Sequence, residues 1–196
     1  MLVMPKDSSN EIIIIGIDPG TTNLGIAILI INLDNLKIIT SDAFTLNGNK
    51  LKGNDDWTSN RYGERTGRIL GLENELLRIF HYYKPTFICS ESPFFMVKFP
   101  AAGVALTEVM CSIKRSVMNY SYWHKLYTID PSSVKNAVGA KGNADKYTMK
   151  QKIIDLPNLN YNGIIPLFNL DEHSIDALAV AYGMYIKVIN GEHYVH

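Results

Sequence analysis

Cysteine is scarce in this chain. Cys89 and Cys111 are the two among 196 residues, and both have apolar neighbours and no short metal-type spacing. That excludes a disulfide framework and a thiolate zinc site, and both read as reduced core residues of an intracellular protein. Net charge is missing as well: 19 Lys and Arg balance 19 Asp and Glu, so the chain as a whole has no polybasic signature. No apolar run reaches membrane-spanning length, because the run that starts at Ile12 is broken at Asp18-Pro19-Gly20. The opening MLVMPKDSSN lacks the apolar centre of a signal peptide. Internal repeats and low-complexity tracts are absent too. A soluble, cytoplasmic protein is the expectation. A hydrophobic content of 46% over 196 residues suffices for one core and is short for two. Residues 1–10 therefore read as a flexible tail and 11–196 as a single domain with irregular insertions.

The charge that is present is unevenly spread. Residues 1–83 carry 8 Lys and Arg against 10 Asp and Glu, residues 84–152 carry 10 against 4, and residues 153–196 carry 1 against 5. A basic middle between acidic ends suits a polyanion lying across one face beside a carboxylate cluster, although an ordinary solvated surface gives the same counts.

Periodicity supplies the elements. Ile-rich runs at 11–17 and 24–32, joined at Asp-Pro-Gly, and an alternating run at 37–46 predict three strands in two hairpins. Residues 47–60, rich in Asn, Gly and Asp, read as a long loop. Ile69, Leu72, Leu76 and Phe80 predict a helix over 59–83, which Lys84-Pro85 closes. A strand at 86–91, a helix at 100–122 with a broad apolar face, and a strand at 125–130 follow. Short helices are expected at 131–138 and 144–155, an irregular stretch at 156–170, and a last helix at 171–189 capped by Asp171. The order predicts an α/β mixed five-stranded sheet with helices on its faces.

Three acids fall where apolar residues or nothing would be expected. Asp18 ends the first strand and Glu91 the fourth. His173 and Asp176 share one face at the start of the last helix, with Asp176 leading into the apolar ALAVA. Each has an ordinary explanation alone: a turn cap, a strand-end surface residue, acids in a helical first turn. Together, carboxylate oxygens and one imidazole from two strand ends and a helix start form a donor set for a hard cation such as Mg²⁺ or Mn²⁺.

GIDPGTTNLGIA, ESPFF and HSIDALAVA, with VKNAVGAKGNADKYTMKQKI between the last two, resemble RuvC-type Holliday junction resolvases of the RNase H-like superfamily, bacteriophage members included. The resemblance runs over residues 11–189. It implies a structure-specific endonuclease that cuts four-way junctions, and possible other branches, by paired nicks leaving 5′-phosphate and 3′-hydroxyl ends. It places the catalytic and metal-binding acids on Asp18, Glu91 and Asp176, with His173 as the histidine version of the closing pair and Asp171 and Glu172 as adjoining alternatives. Two divalent ions would activate water and stabilise the leaving oxygen. It places DNA contacts on Phe94, Lys135 and Lys146. Lys141, beside Gly139, Gly142, Asn136 and Asn143, suits phosphate approach, whereas Lys150 reads equally as a solvated residue and Lys152 better as one. A two-fold junction calls for a homodimer, with the apolar helix at 100–122 as its interface. Two rivals remain: a junction-binding module without catalysis, and an ATP-using protein of the actin and sugar-kinase class. The former would not need all three acids, and the latter requires a second glycine-rich phosphate loop that this chain lacks.

Overall fold

A computed structural model describes residues 10–52, 57–93 and 100–192. Three strands come first: β1 (Glu11–Asp18), β2 (Asn23–Asn32) and β3 (Ile38–Asn47). Two short helices, α1 (Gly48–Leu51) and α2 (Trp57–Tyr62), lead into the long α3 (Glu64–Tyr83). Then β4 (Phe87–Glu91), α4 (Pro100–Tyr120) and β5 (Leu126–Ile129) alternate, and α5 (Pro131–Ala137), α6 (Lys146–Ile154) and α7 (Glu172–Ile189) complete the fold.

The strands form one sheet in the order β3-β2-β1-β4-β5. Tight connections make β1/β2 and β2/β3 antiparallel, whereas β1/β4 and β4/β5 are parallel because α3 and α4 carry the chain back before each new strand. Helices cover both faces, so the central strands are apolar on both sides instead of alternating. Ile14, Ala27, Leu29 and Cys89 meet α7 on one face, and Ile15, Ile17, Ile26 and Ile88 meet α3 and α4 on the other.

Three expectations need correction. The helix expected over 59–83 is two helices, because Gly63 takes φ +93° between α2 and α3, a conformation that breaks the helical run. The loop expected over 47–60 begins with α1, whose first turn is capped by the Asn47 side chain accepting from Lys50 N. Cys89 is buried but Cys111 is exposed. The buried side of α4 carries Met110, Ile113 and Val117, packed with α3, and Cys111 falls on the outer side with Val104 and Met118. The broad apolar face of α4 therefore serves this chain's own core, and Val104, Cys111 and Met118 form an exposed outer stripe. Among the described residues no helix is long and apolar enough to cross a membrane.

Candidate active site

Because β1, β4 and β5 are parallel, their C-terminal ends share one edge of the sheet. Asp18 is the last residue of β1, Glu91 the last of β4, and Asp130 follows β5. Ile17 pairs with Ser90, which sets Asp18 and Glu91 at neighbouring strand ends. Such an edge is where open α/β sheets place their ligands.

The start of α7 reaches the same edge because two side chains are missing beneath it. Gly25 pairs with Asp18 across β1/β2, and a Cβ on Gly25 would lie 2.0 Å from the His173 carbonyl oxygen. A Cβ on Gly16 would lie 2.5 Å from the Ala177 carbonyl oxygen. With glycine at both positions the helix rests directly on the strands. Asp171 fixes its entry, accepting from Ser174 N at 2.8 Å and from the Thr45 hydroxyl of β3 at 2.7 Å.

His173 Nδ1 consequently donates to Asp18 Oδ2 at 2.8 Å. This hydrogen bond is the main reason the imidazole's pKa lies above its ordinary value, burial opposing it. Glu91 is pushed up to about 7, first by burial and then by the charges of Asp18 and Asp176, while Lys135 draws it back. Asp176 is pushed up to about 6 by burial and then by Asp18, with Lys146 opposing. Asp18 is thus bonded to His173 and lies in the fields of Glu91 and Asp176, and Asp176 lies in that of Glu91. Buried carboxylates that raise each other's pKa mark a place short of positive charge. Among the described residues no three His, Cys, Asp or Glu are placed closely enough to hold a metal ion. The donor chemistry, carboxylate oxygens with one imidazole and no thiolate, fits a hard divalent cation.

The model of the family described as "Crossover junction endodeoxyribonuclease RuvC" matches residues 14–183. The chain belongs to this family. All four of Asp18, Glu91, His173 and Asp176 lie inside the matched span. Thermus thermophilus RuvC in complex with a Holliday junction substrate is 19% identical with a TM-score of 0.64, over 92% of this chain and 97% of that one. The yeast mitochondrial Holliday junction resolvase Ydc2 is 14% identical with a TM-score of 0.61, over 92% of this chain and 80% of that one. At these identities the likeness is one of fold, and the mixed five-stranded sheet flanked by helices is the one that the order of elements in the sequence predicts. A comparison with curated proteins finds no match.

Around this candidate site the expected auxiliary residues divide. Lys135 Nζ donates to the carbonyls of Gly142 at 3.1 Å and Ala144 at 2.9 Å, so it fastens the loop after α5 while adding positive charge near Glu91. Lys146 forms an ion pair with Glu172 at the entrance of the site. A recess of about 180 Å³ between α6 and α7 joins Lys146 and Lys150 to Asp176. Lys150 is not simply solvated: its Nζ donates to the Leu170 carbonyl at 2.7 Å. Lys141 and Lys152 are exposed. Phe94 lies outside the described residues. Of the two alternative ligands, Asp171 is engaged as the α7 cap and Glu172 in its pair with Lys146.

Sequence reasoning missed Asp130. It stands beyond the end of β5 and adds to the negative field at Glu91. Its carboxylate accepts from the Ser132 hydroxyl at 2.6 Å and Ser133 N at 2.9 Å as the cap of α5. These bonds hold its pKa well below the usual carboxylate range. The signal was available, since an acid ending a strand is what singled out Asp18 and Glu91.

Proposed function

We propose that this chain resolves four-way DNA junctions by paired nicks, with Asp18, Glu91, His173 and Asp176 holding two Mg²⁺ or Mn²⁺ ions, and that the products carry 5′-phosphate and 3′-hydroxyl ends. The observation that carries the reading is the placement of these four residues at one edge of the sheet, with Asp18 bonded to His173 and electrostatically coupled to Glu91 and Asp176, in a member of the RuvC family. When bound, divalent ions supply the positive charge that lets a water ionise and a 3′-oxygen depart.

Asp18, bonded to His173 and coupled to both Glu91 and Asp176, would hold the ions together with them. Its hydrogen bond to His173 Nδ1 fixes the imidazole and leaves Nε2 as the nitrogen available to ligate or to take a proton from the attacking water. No covalent intermediate is required, because water is the nucleophile. Lys135, Lys141 and Lys146 would contact the phosphate backbone, and Phe94 would wedge against an unpaired base at the branch. The two-fold symmetry of the substrate matches a homodimer, formed in the cytoplasm through the outer stripe of α4 where Val104, Cys111 and Met118 recur every seven residues.

Incubation with a labelled synthetic four-way junction and a linear duplex, with and without Mg²⁺, tests the reading. Cleavage of the junction alone, dependent on the cation and abolished by Asp18→Asn with junction binding retained, is the expected result. Junction binding without cleavage under every cation tried would instead identify a non-catalytic module.

A further inference from the structure

Positive charge is sparse in the first 83 residues except in one stretch. Residues 48–68 carry five Lys and Arg against three Asp and Glu, whereas the rest of residues 1–83 carries three against seven. The fold sets this stretch at the edge of the sheet where Asp18 stands. Gly48 N donates to the Thr22 carbonyl at 2.7 Å and Asn47 Nδ2 to Asn23 Oδ1 at 3.1 Å, so α1 starts against the turn that follows Asp18. A Cβ on Gly48 would lie 3.0 Å from the Thr21 carbonyl oxygen and 3.1 Å from Arg68 Cβ, which brings the first turns of α3 to the same turn. Leu51, Ile69 and Leu72 pack with Ile17 and Leu24 on one face of the sheet, whereas Val134 of α5 and Met149 of α6 pack with α7 on the other. Lys135 and Lys146 therefore flank the candidate site on one side and residues 48–68 on the opposite side.

On this surface α2 turns its large side chains outward. Ser59 is its buried residue, and it rests on α3 at Gly67, where a Cβ would collide with the Ser59 hydroxyl. Trp57 and Tyr62 are 58% and 61% exposed. Their rings meet edge to face at 5.8 Å, and Arg61 Cζ lies 5.8 Å from the centre of the Trp57 ring. Both rings are thus held in place yet more than half open to solvent. Three of the five arginines are paired with acids, Arg65 with Glu108, Arg78 with Glu75 and Arg115 with Glu73. Glu64 is engaged by Lys52 at 2.7 Å. Among the described residues Arg61 and Arg68 have no acidic partner, and the buried Arg68 Nε has no hydrogen-bond partner. Two held aromatic rings beside two uncompensated guanidinium groups suit a strand that carries both flat bases and phosphates.

We infer that α2 and the first turns of α3 grip one strand of the junction at its branch, Trp57 and Tyr62 stacking on an unpaired base and Arg61 and Arg68 binding the phosphates beside it. The inference rests on the reading of this chain as a junction resolvase and adds a second grip, across the site from Lys135 and Lys146. Bases within a double-helical arm are covered by their neighbours and offer the rings no face, so this surface favours the branch over the arms. An acidic peptide would satisfy the arginines and leave the rings without a flat partner.

The two tryptophans provide the test. Trp123 lies between α4 and the start of β5, at the edge of the sheet opposite Asp18, so emission from a Trp123→Phe chain reports Trp57 alone. Titration of that chain in EDTA with a synthetic four-way junction is expected to quench Trp57, and a linear duplex of equal length to quench it far less. Trp57→Ala is expected to weaken junction affinity at least about fivefold while leaving the plot of log affinity against log salt unchanged. Arg68→Gln is expected to make that plot shallower by about one. Unquenched Trp57 and unchanged affinity of Trp57→Ala, in a chain that still binds and cuts the junction, would overturn this surface and leave the resolvase reading standing. Equal quenching by the duplex, or quenching in Trp57→Phe and not in Trp123→Phe, would overturn it as well. A chain that binds no junction would overturn both.

Discussion

Replacing Glu91 by Gln is expected to stabilise the metal-free protein near pH 8 and to leave it nearly unchanged near pH 5. In the folded state the Glu91 carboxyl sits at about 7 against an ordinary value of 4.5, because burial and the charges of Asp18 and Asp176 penalise its ionised form. A folded-state pKa raised above the unfolded value contributes stability that is complete below the unfolded pKa and is lost as pH rises through the folded one. The loss therefore falls between pH 4.5 and about 7. Above that window, holding the ionised carboxylate in place costs up to about 3 kcal/mol, at roughly 1.4 kcal/mol per pH unit of displacement. Part of this is returned when an amide is buried in its place, for about 1 kcal/mol, and part to solvent, which leaves a gain of about 1–2 kcal/mol. For a chain of this size that raises the melting temperature by about 2–8 °C. Thermal melts in EDTA at the two pH values measure it. A variant that melts below the parent near pH 8, or gains as much near pH 5, would refute the electrostatic account of the site. Millimolar Mg²⁺ near pH 8 is expected to raise the parent's melting temperature and to raise that of Glu91→Gln far less, since the cation supplies what the substitution removes.

His173→Asp is expected to retain junction cleavage and His173→Ala to lose at least about tenfold, in single-turnover assays with Mg²⁺; equal rates would remove the imidazole from the site. Lys146→Ala is expected to make the plot of log affinity against log salt shallower by about one, whereas Lys152→Ala leaves it unchanged, and equal slopes would reduce the segment to a diffuse basic surface. Gly25→Ala brings a methyl group 2.0 Å from the His173 carbonyl oxygen, so it is expected to destabilise the fold by about 2–4 kcal/mol in denaturant melts and to abolish cleavage. Met118→Arg on the outer stripe of α4 is expected to shift the sedimentation of the chain to that of a monomer without lowering its melting temperature by more than about 2 °C; no change in mass would remove α4 from the interface.

Local signals made most of the fold legible. Ile-rich runs ending at Asp-Pro-Gly, the i, i+3, i+4 pattern of α3 and the Asp171 cap of α7 are each written within a few residues, and each element lies within a few residues of its expected bounds. Where boundaries moved, local features moved them: Gly63 at φ +93° splits the helix expected from residue 59, and the Asn47 cap starts α1 inside the loop expected over 47–60. Cys111 could not be placed on one side of α4 from composition. Both sides of that helix carry apolar residues, and which of them faces α3 is decided by packing. The same holds for Lys135 and Lys150, whose ammonium groups meet carbonyls that only folding brings near.

The sequence by itself determined the chemistry of the site, because Asp18 and Glu91 end apolar strands and His173 and Asp176 are three apart on a helix. Those features are local and survive in any arrangement of the elements. Their meeting was decided by tertiary structure. Parallel pairing of β1 with β4 sets two acids side by side, and the bare backbone at Gly16 and Gly25 lets α7 settle until His173 reaches Asp18. The cavity lined by Asp42 and Tyr83 was likewise unreadable beforehand, since the two lie 41 positions apart in the chain and share a cavity only after residues 160–165 close over the edge of the sheet. Residue type and period are carried by neighbours along the chain. Distance, burial and the resulting pKa values depend on contacts between residues far apart in it.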